Sequence, residues 1–145
     1  LAWAADADQA FGLPSYETVG AAGADLRANF ANRGAVVLEG GERALIPTGL
    51  HMAIAHGFEV QIRPRSGLAL KHGISVVNAP GLIDAGYRGE LQVIILNTDP
   101  TTAYGIERGD RIAQLVVQRI EEVQWTVVES LDGYDRGGGF GHSGR

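Results

Sequence analysis

Three features of the sequence predict an all-β fold, a sandwich or barrel and most simply one of the jelly-roll type. Apolar and β-branched runs are short and number roughly ten. Turn signals separate them at close spacing, and glycine, at 21 of 145 residues, has about twice its usual share. A single segment reads as helix, and it is short. No internal repeat is visible.

Taken in order, residues 1–15 have no clear period, and Trp3, Phe11 and Leu13-Pro14 suggest an extended arm packed on the rest. Tyr16–Ala28 reads as a strand with Asp25 and Arg27 on one face and Leu26 on the other. Val36–Leu38 and Ala44–Pro47 read as a hairpin across Gly40-Gly41, with Pro47 at a strand end. Leu50–Ala55 is a further short strand, and Phe58–Arg63 alternates as a half-buried strand does. Ser66 as N-cap, helix-tolerant Leu68–His72 and Gly73 as stop predict the helix. Ile74–Asn78 is strand-like.

Gly81–Asn97 is the stretch around which the chain is organised. It reads as a short strand, Leu82-Ile83, and a longer apolar one, Leu91–Leu96, on either side of a tight turn. Gly86 and Gly89 are expected at positive φ there. Thr98–Ile106 is a loop, Arg108–Arg111 a turn, Ile112–Val117 a buried strand interrupted by Gln114, and Val123–Val128 a last strand. Residues 1–131 make one domain, long enough to bury a core. Residues 132–145 form a glycine-rich arm that cannot pack by itself and is expected to be mobile.

A formal charge of −5 argues against nucleic acid as the main ligand, though local arginines or a metal ion can still hold a small phosphorylated one. There is no cysteine, so no disulfide framework and no thiolate zinc site. No apolar run reaches membrane-spanning length and no signal peptide is evident, which makes a cytoplasmic protein without membrane contact the expectation. His51, His56, His72 and His142 lack metal-ligand spacing. No Walker, HExxH or nucleophile-elbow motif is present.

Three places carry candidate chemistry. Asp84, at the lip of the turn after two apolar residues and three before Tyr87, is a reasonable general base. Taken alone, this stretch is better read as an ordinary turn with a turn-forming Asp and a capping Tyr. Arg65-Ser66-Gly67 offers a guanidinium fork, a hydroxyl and free backbone N–H groups to a phosphate, and serves equally as a plain helix start. The arm with Arg136, Phe140, His142 and Ser143 suits closure over a ligand, stacking of an aromatic on a base and donation to a phosphate. Its Gly139–Gly144 matches G-x-G-x-x-G only literally, because no strand precedes it and no helix follows. Gln114 and Asn78 are possible ligand contacts, and each is also explained by a neighbouring backbone group.

Five segments in order resemble the trimeric deoxyuridine triphosphatase family: Ala22–Ala28, Pro64–Ile74, Gly81–Leu91, Arg108–Leu115 and Arg136–Gly144. Together they span nearly the whole chain, and a jelly roll does not itself require them. The resemblance implies a homotrimer with active sites at subunit interfaces that hydrolyses dUTP to dUMP and pyrophosphate with Mg²⁺. That activity keeps uracil out of DNA and supplies dUMP for thymidylate synthesis. By the same resemblance Asp84 activates the attacking water, and Tyr87 stacks under the deoxyribose and excludes a ribose. Asn78 reads uracil together with backbone groups of the Leu82, Ile83 and Gln92 hairpin. Arg65, Ser66, Gly67 and Gln114 cradle phosphates. Asp25 holds Mg²⁺ through water. Arg136, Phe140, Gly141 and Ser143 belong to the arm that closes over a neighbouring subunit's site. A dCTP deaminase on the same fold is the runner-up, with Glu90 as its only acidic candidate for proton shuttling. A non-enzymatic jelly-roll binding or structural protein accounts for the strands but not for these residues together.

Overall fold

Along the strand that follows the central turn, Leu91, Val93 and Ile95 are buried while Gln92, Ile94 and Leu96 are less so, and this two-residue period sets the architecture. The computed structural model describes residues 1–31, 34–135 and 137. Its strands are β1 (Ala2–Trp3), β2 (Ala24–Arg27), β3 (Val36–Leu38), β4 (Arg43–His51), β5 (Phe58–Arg63), β6 (Ile74–Val76), β7 (Gly81–Ile83), β8 (Glu90–Asn97), β9 (Tyr104–Ile106) and β10 (Arg111–Arg119). One helix, α1 (Ser66–His72), and a 3-10 turn at Gln9–Phe11 complete the set among the described residues. The all-β prediction with one short helix holds.

The strands form two four-stranded antiparallel sheets, β1-β4-β8-β6 and β2-β10-β5-β7, and a separate β3-β9 pair. One core lies between them. Ile46, Leu91, Val93 and Ile95 come from the first sheet, Leu26, Val60 and Leu115 from the second, and Leu38 and Ile106 from the pair. Each such side chain stabilises the fold by about 1.5–3 kcal/mol through burial. The amino-terminal arm does pack: β1 pairs with β4, and Trp3 lies against the core.

Asn97, fully buried at the end of β8, ties the pieces together. Its amide donates to Leu38 O at 2.9 Å and to Thr102 O at 2.8 Å, and its Oδ1 accepts from the Asp99 N–H at 3.0 Å. Asp99 in turn accepts from the backbone N–H of Thr101 and Thr102 and from the Thr101 hydroxyl, which holds its carboxyl below the usual range. Asn97→Leu should therefore cost about 2–4 kcal/mol, since buried partners lose their bonds, and urea denaturation measures it.

Several expectations are corrected. Residues 36–38 and 44–47 do not form a hairpin, because β3 pairs with β9 and β4 with β8. The turn between them is real, with the Glu42 N–H on Glu39 O at 3.0 Å. It redirects the chain between layers, and a Cβ on Gly40 would lie 2.6 Å from Asp99 O. Pro47 does not end a strand either: β4 continues through it to His51, taking in Leu50 and His51 and stopping short of Ala55. Pro47, opposite Gln92, is the last partnered residue before a register shift that runs to His51, with Gly49 at φ 70°, so the ladder is interrupted just past the proline.

Likewise β7 and β8 do not pair with each other. β7 joins β5 while β8 joins β4 and β6, so the central stretch is a crossover between the two sheets. Gly86 and Gly89 are not among the positive-φ glycines. Ser66 is the first helical residue rather than the N-cap, a place taken by Arg65 without a side-chain capping bond, while Gly73 ends α1 at φ 65° as expected. The loop of residues 98–106 contains β9. Residues 123–128 form no strand. No helix among the described residues is long and apolar enough to cross a membrane.

Candidate active site

Asp25 and Gln114 face each other across the β2–β10 ladder, and Gln114 pairs on its other side with Arg63 of β5. Past Pro64 the chain turns into α1, and Arg65 folds back over this row. Its Nε lies 3.5 Å from Asp25 Oδ1, and its Nη1 donates to Arg111 O at 3.1 Å. The Gln114 amide donates to Asp25 Oδ1 at 3.3 Å. Arg111 Nη1 reaches Asp25 Oδ2 at 3.2 Å and Glu17 Oε2 at 3.4 Å. The Asp25 side chain is only 5% exposed, so these partners are what make a buried carboxylate tolerable. Ser66 and Gly67 stand exposed beside it at the start of α1, with open space where a Gly67 Cβ would be.

Arg111 and Glu17 were not among the expected site residues. Three positions before Gln114 on a regular strand, Arg111 would point to the opposite face. The register shift between Arg111 and Ala113 reverses that parity and turns both side chains toward Asp25. A bulge of this kind has no composition signal. The Arg-Gly-Asp-Arg turn just before the strand was its only hint.

A second group surrounds the crossover. Asp84 follows β7 and is exposed; its carbonyl accepts the Tyr87 N–H at 3.0 Å. The Tyr87 hydroxyl donates to Glu90 O at 2.8 Å, which fixes the ring with 41% of the residue exposed. Gly89 lies directly under that ring, and a Cβ there would collide with the phenol. Gly89→Ala should push the Tyr87 ring off Glu90 O, at a cost of about 0.5–1.5 kcal/mol for the lost hydrogen bond, read as a lower thermal midpoint. Gly86→Ala, with nothing within 4 Å, should leave the thermal midpoint nearly unchanged. Asn78 precedes the cis Ala79–Pro80 bond, and its amide nitrogen would lie 3.2 Å from a Cβ placed on Gly81. Leu82 and Gln92 are exposed, and Ile83 packs on the core.

These two groups do not meet within one chain. Gln114 is level with Arg63, whereas Ile83 is level with Val60, which puts Asp84 level with Glu59. Four residues along the strands and three strand spacings across them separate Asp25 from Asp84 by on the order of 20 Å. Arg136, Phe140, Gly141 and Ser143 lie outside the described residues.

Among the described residues no three His, Asp or Glu side chains gather into a metal cage. Asp25, whose oxygens already meet Arg65, Gln114 and Arg111, could hold a hard cation through that cation's own water, with most of its other ligands coming from phosphates.

Residues 9–144 match the dUTPase family. A deoxyuridine 5'-triphosphate nucleotidohydrolase of Roseobacter denitrificans is 55% identical, over 99% of this chain and 94% of that protein. A dUTPase of Staphylococcus bacteriophage 80alpha, solved with dUpNHpp, superposes with a TM-score of 0.78 at 29% identity, over 91% of each chain. A phage phi11 dUTPase, whose structure describes coordination of a structural Mg(II) ion, gives 0.72 at 27% identity, over 83% of this chain and 92% of its own. A family match over residues 9–144 and a relative 55% identical over nearly the full length of both chains place this chain in the dUTPase family.

Proposed function

We propose that this protein hydrolyses dUTP to dUMP and pyrophosphate in sites shared between copies of itself in a homotrimer. The observation that carries the shared site is the separation of Asp84, Tyr87 and Asn78 from Asp25, Arg65 and Gln114 within one chain. Chemistry on a nucleoside triphosphate needs base recognition and phosphate binding within the length of one ligand. Two half-sites about 20 Å apart satisfy this only when a second copy brings the missing half. Val123, Trp125 and Val127 add support. They alternate along the segment, are mostly exposed and pair with no strand of their own chain among the described residues.

In this reading the clamped Tyr87 ring offers a flat apolar face to the deoxyribose and leaves no room for a 2′-hydroxyl. Asn78 and backbone groups around Leu82, Ile83 and Gln92 read uracil, rejecting cytosine by donor–acceptor mismatch and thymine by clash. Arg65, Ser66, Gly67 and Gln114 bind the phosphates. Asp84 accepts a proton from water and aims it in line with the breaking phosphoanhydride bond. Asp25 would hold Mg²⁺ through water, and the bound ion would supply neutralisation of the triphosphate charge. Residues 132–145, as an arm beyond the 1–131 domain, would close the site, with Phe140 on the base, Arg136 and Ser143 on the γ-phosphate and Gly141 letting the backbone approach. A cytoplasmic setting belongs to the same reading.

The deaminase alternative requires a free glutamate. The Glu90 carboxylate accepts the Gly49 N–H at 2.7 Å, which anchors it to the β4 bulge instead. The test is incubation with dUTP, dCTP, dTTP and UTP, each with Mg²⁺, following pyrophosphate and ammonia. Pyrophosphate from dUTP alone is the expected result. Ammonia from dCTP would replace this reading by deamination, and no turnover of any of the four would leave a binding protein.

A further inference from the structure

We infer that Arg111, backed by Glu17, is a positioning residue that keeps Asp25 in place for magnesium-dependent binding of the triphosphate. The inference rests on the reading above and concerns two residues to which that reading gives no role.

The geometry divides the Asp25 carboxylate into two halves. Oδ1 faces Arg65 Nε at 3.5 Å and the Gln114 amide at 3.3 Å. Those are the groups the reading sends to the phosphates, so their donors are drawn away from Oδ1 when substrate binds. Oδ2 faces only Arg111 among the hydrogen bonds and ion pairs of the described residues, at 3.2 Å. Arg111 is therefore the cation that stays with Asp25 in the loaded site. One lone pair of Oδ2 remains for a metal-bound water, and its direction is set by where Arg111 holds the carboxylate.

Arg111 is itself held. Its Nη1 also reaches Glu17 Oε2 at 3.4 Å, and Glu17 Oε1 accepts the Ser15 hydroxyl at 2.8 Å. Ser15 O in turn accepts the Asp25 N–H at 2.9 Å. The path from Asp25 through Arg111, Glu17 and Ser15 thus closes on Asp25. It also balances charge: Asp25 and Glu17 against Arg65 and Arg111. Without Arg111, a nearly buried carboxylate would keep only the cation that the phosphates take from it. Groups behind a metal-holding side chain typically matter by 10–100-fold in metal affinity.

The experiment is calorimetric titration of the full chain with dUpNHpp, once with Mg²⁺ and once with EDTA, alongside dUMP. No turnover enters the readout. For the unmutated protein Mg²⁺ should tighten dUpNHpp binding. Arg111→Met should lose about tenfold of that gain, with binding of dUMP, which lacks the β- and γ-phosphates, unchanged. Arg111→Lys should recover part of it. Glu17→Gln, which leaves Arg111 in place, should lose a smaller part and serves as the test if Arg111→Met does not fold. An unaltered magnesium gain in the variants overturns the inference, and so does a parallel loss for dUMP, which would mean general damage. Failure of the unmutated protein to bind dUpNHpp would instead remove the dUTPase reading on which the inference stands.

Discussion

Refolding Asp84→Asn chains together with Arg65→Ala chains is expected to give about a quarter of wild-type dUTP turnover from two proteins that are each nearly inactive alone. Every site in the proposed ring takes its Asp84 from one copy and its Arg65 from the next. In an equal random mixture, each of those contributions is intact in about half of the copies, and both coincide in about a quarter of the sites. Neither substitution should prevent assembly. Asp84 is exposed, and its bond to Tyr87 uses the backbone carbonyl. Arg65→Ala leaves Asp25 paired with Arg111 and Gln114. Steady-state pyrophosphate release from co-refolded mixtures at several ratios, with assembly checked by light scattering, measures the effect. No recovery at any ratio would place Asp84 and Arg65 of the same chain in one site, against the separation read from the β-ladder registers.

Asp84→Asn alone should lower kcat by about 10²–10⁴-fold, the range over which a positioned general base acts. The amide keeps the shape of the carboxylate but cannot take the proton from water. Binding of dUTP should change little, because in the proposed site sugar and base meet Tyr87, Asn78 and the backbone, and the phosphates meet Arg65 and Gln114. Thermal stability should also stay close to wild type, since no hydrogen bond of the Asp84 carboxylate is among those of the described residues. Single-turnover hydrolysis with equilibrium binding separates these effects. Wild-type turnover would remove Asp84 as the base, and a matching loss of affinity would make it a binding group instead.

Local patterns were legible where the physics was local. The bounds read for Phe58–Arg63 are those of β5, although Gln61 is buried along with Val60 and Ile62, and Gly73 ends α1 in the left-handed conformation that favours glycine. Leu26 enters the core with Asp25 on the opposite face, as period two requires. What the sequence could not display was partner choice. The runs at 36–38 and 44–47 carry every local sign of a hairpin, yet each finds a better neighbour about 50–70 residues away in the antiparallel ladders. The apolar segment at 123–128 has strand composition and no strand partner among the described residues of its own chain, so propensity alone misplaced it. Arg111 was missed because a bulge reverses strand parity. Asp25, Arg65 and Gln114 were named through the family resemblance, which supplied what spacing alone left open, and the fold brings their side chains together.

The pairing of β2 with β10 joins residues 86 positions apart, as the Arg111–Asp25 bridge measures. Contacts of such long range slow folding, because the ends of a large loop must meet before they are rewarded. Asp25 leaves the ribosome early, but its partners on β10 follow only after most of the chain has been made. Until then β2 has an unpaired edge where β10 will lie, and the Asp25 carboxylate lacks two of its three donors. The row around Asp25 is thus among the last parts to form during synthesis. Translation halted before β10 would leave a chain that can build much of the β4-β8 sheet and carries Arg65, Ser66 and Gly67, but lacks the Gln114 and Arg111 side chains that bind Asp25.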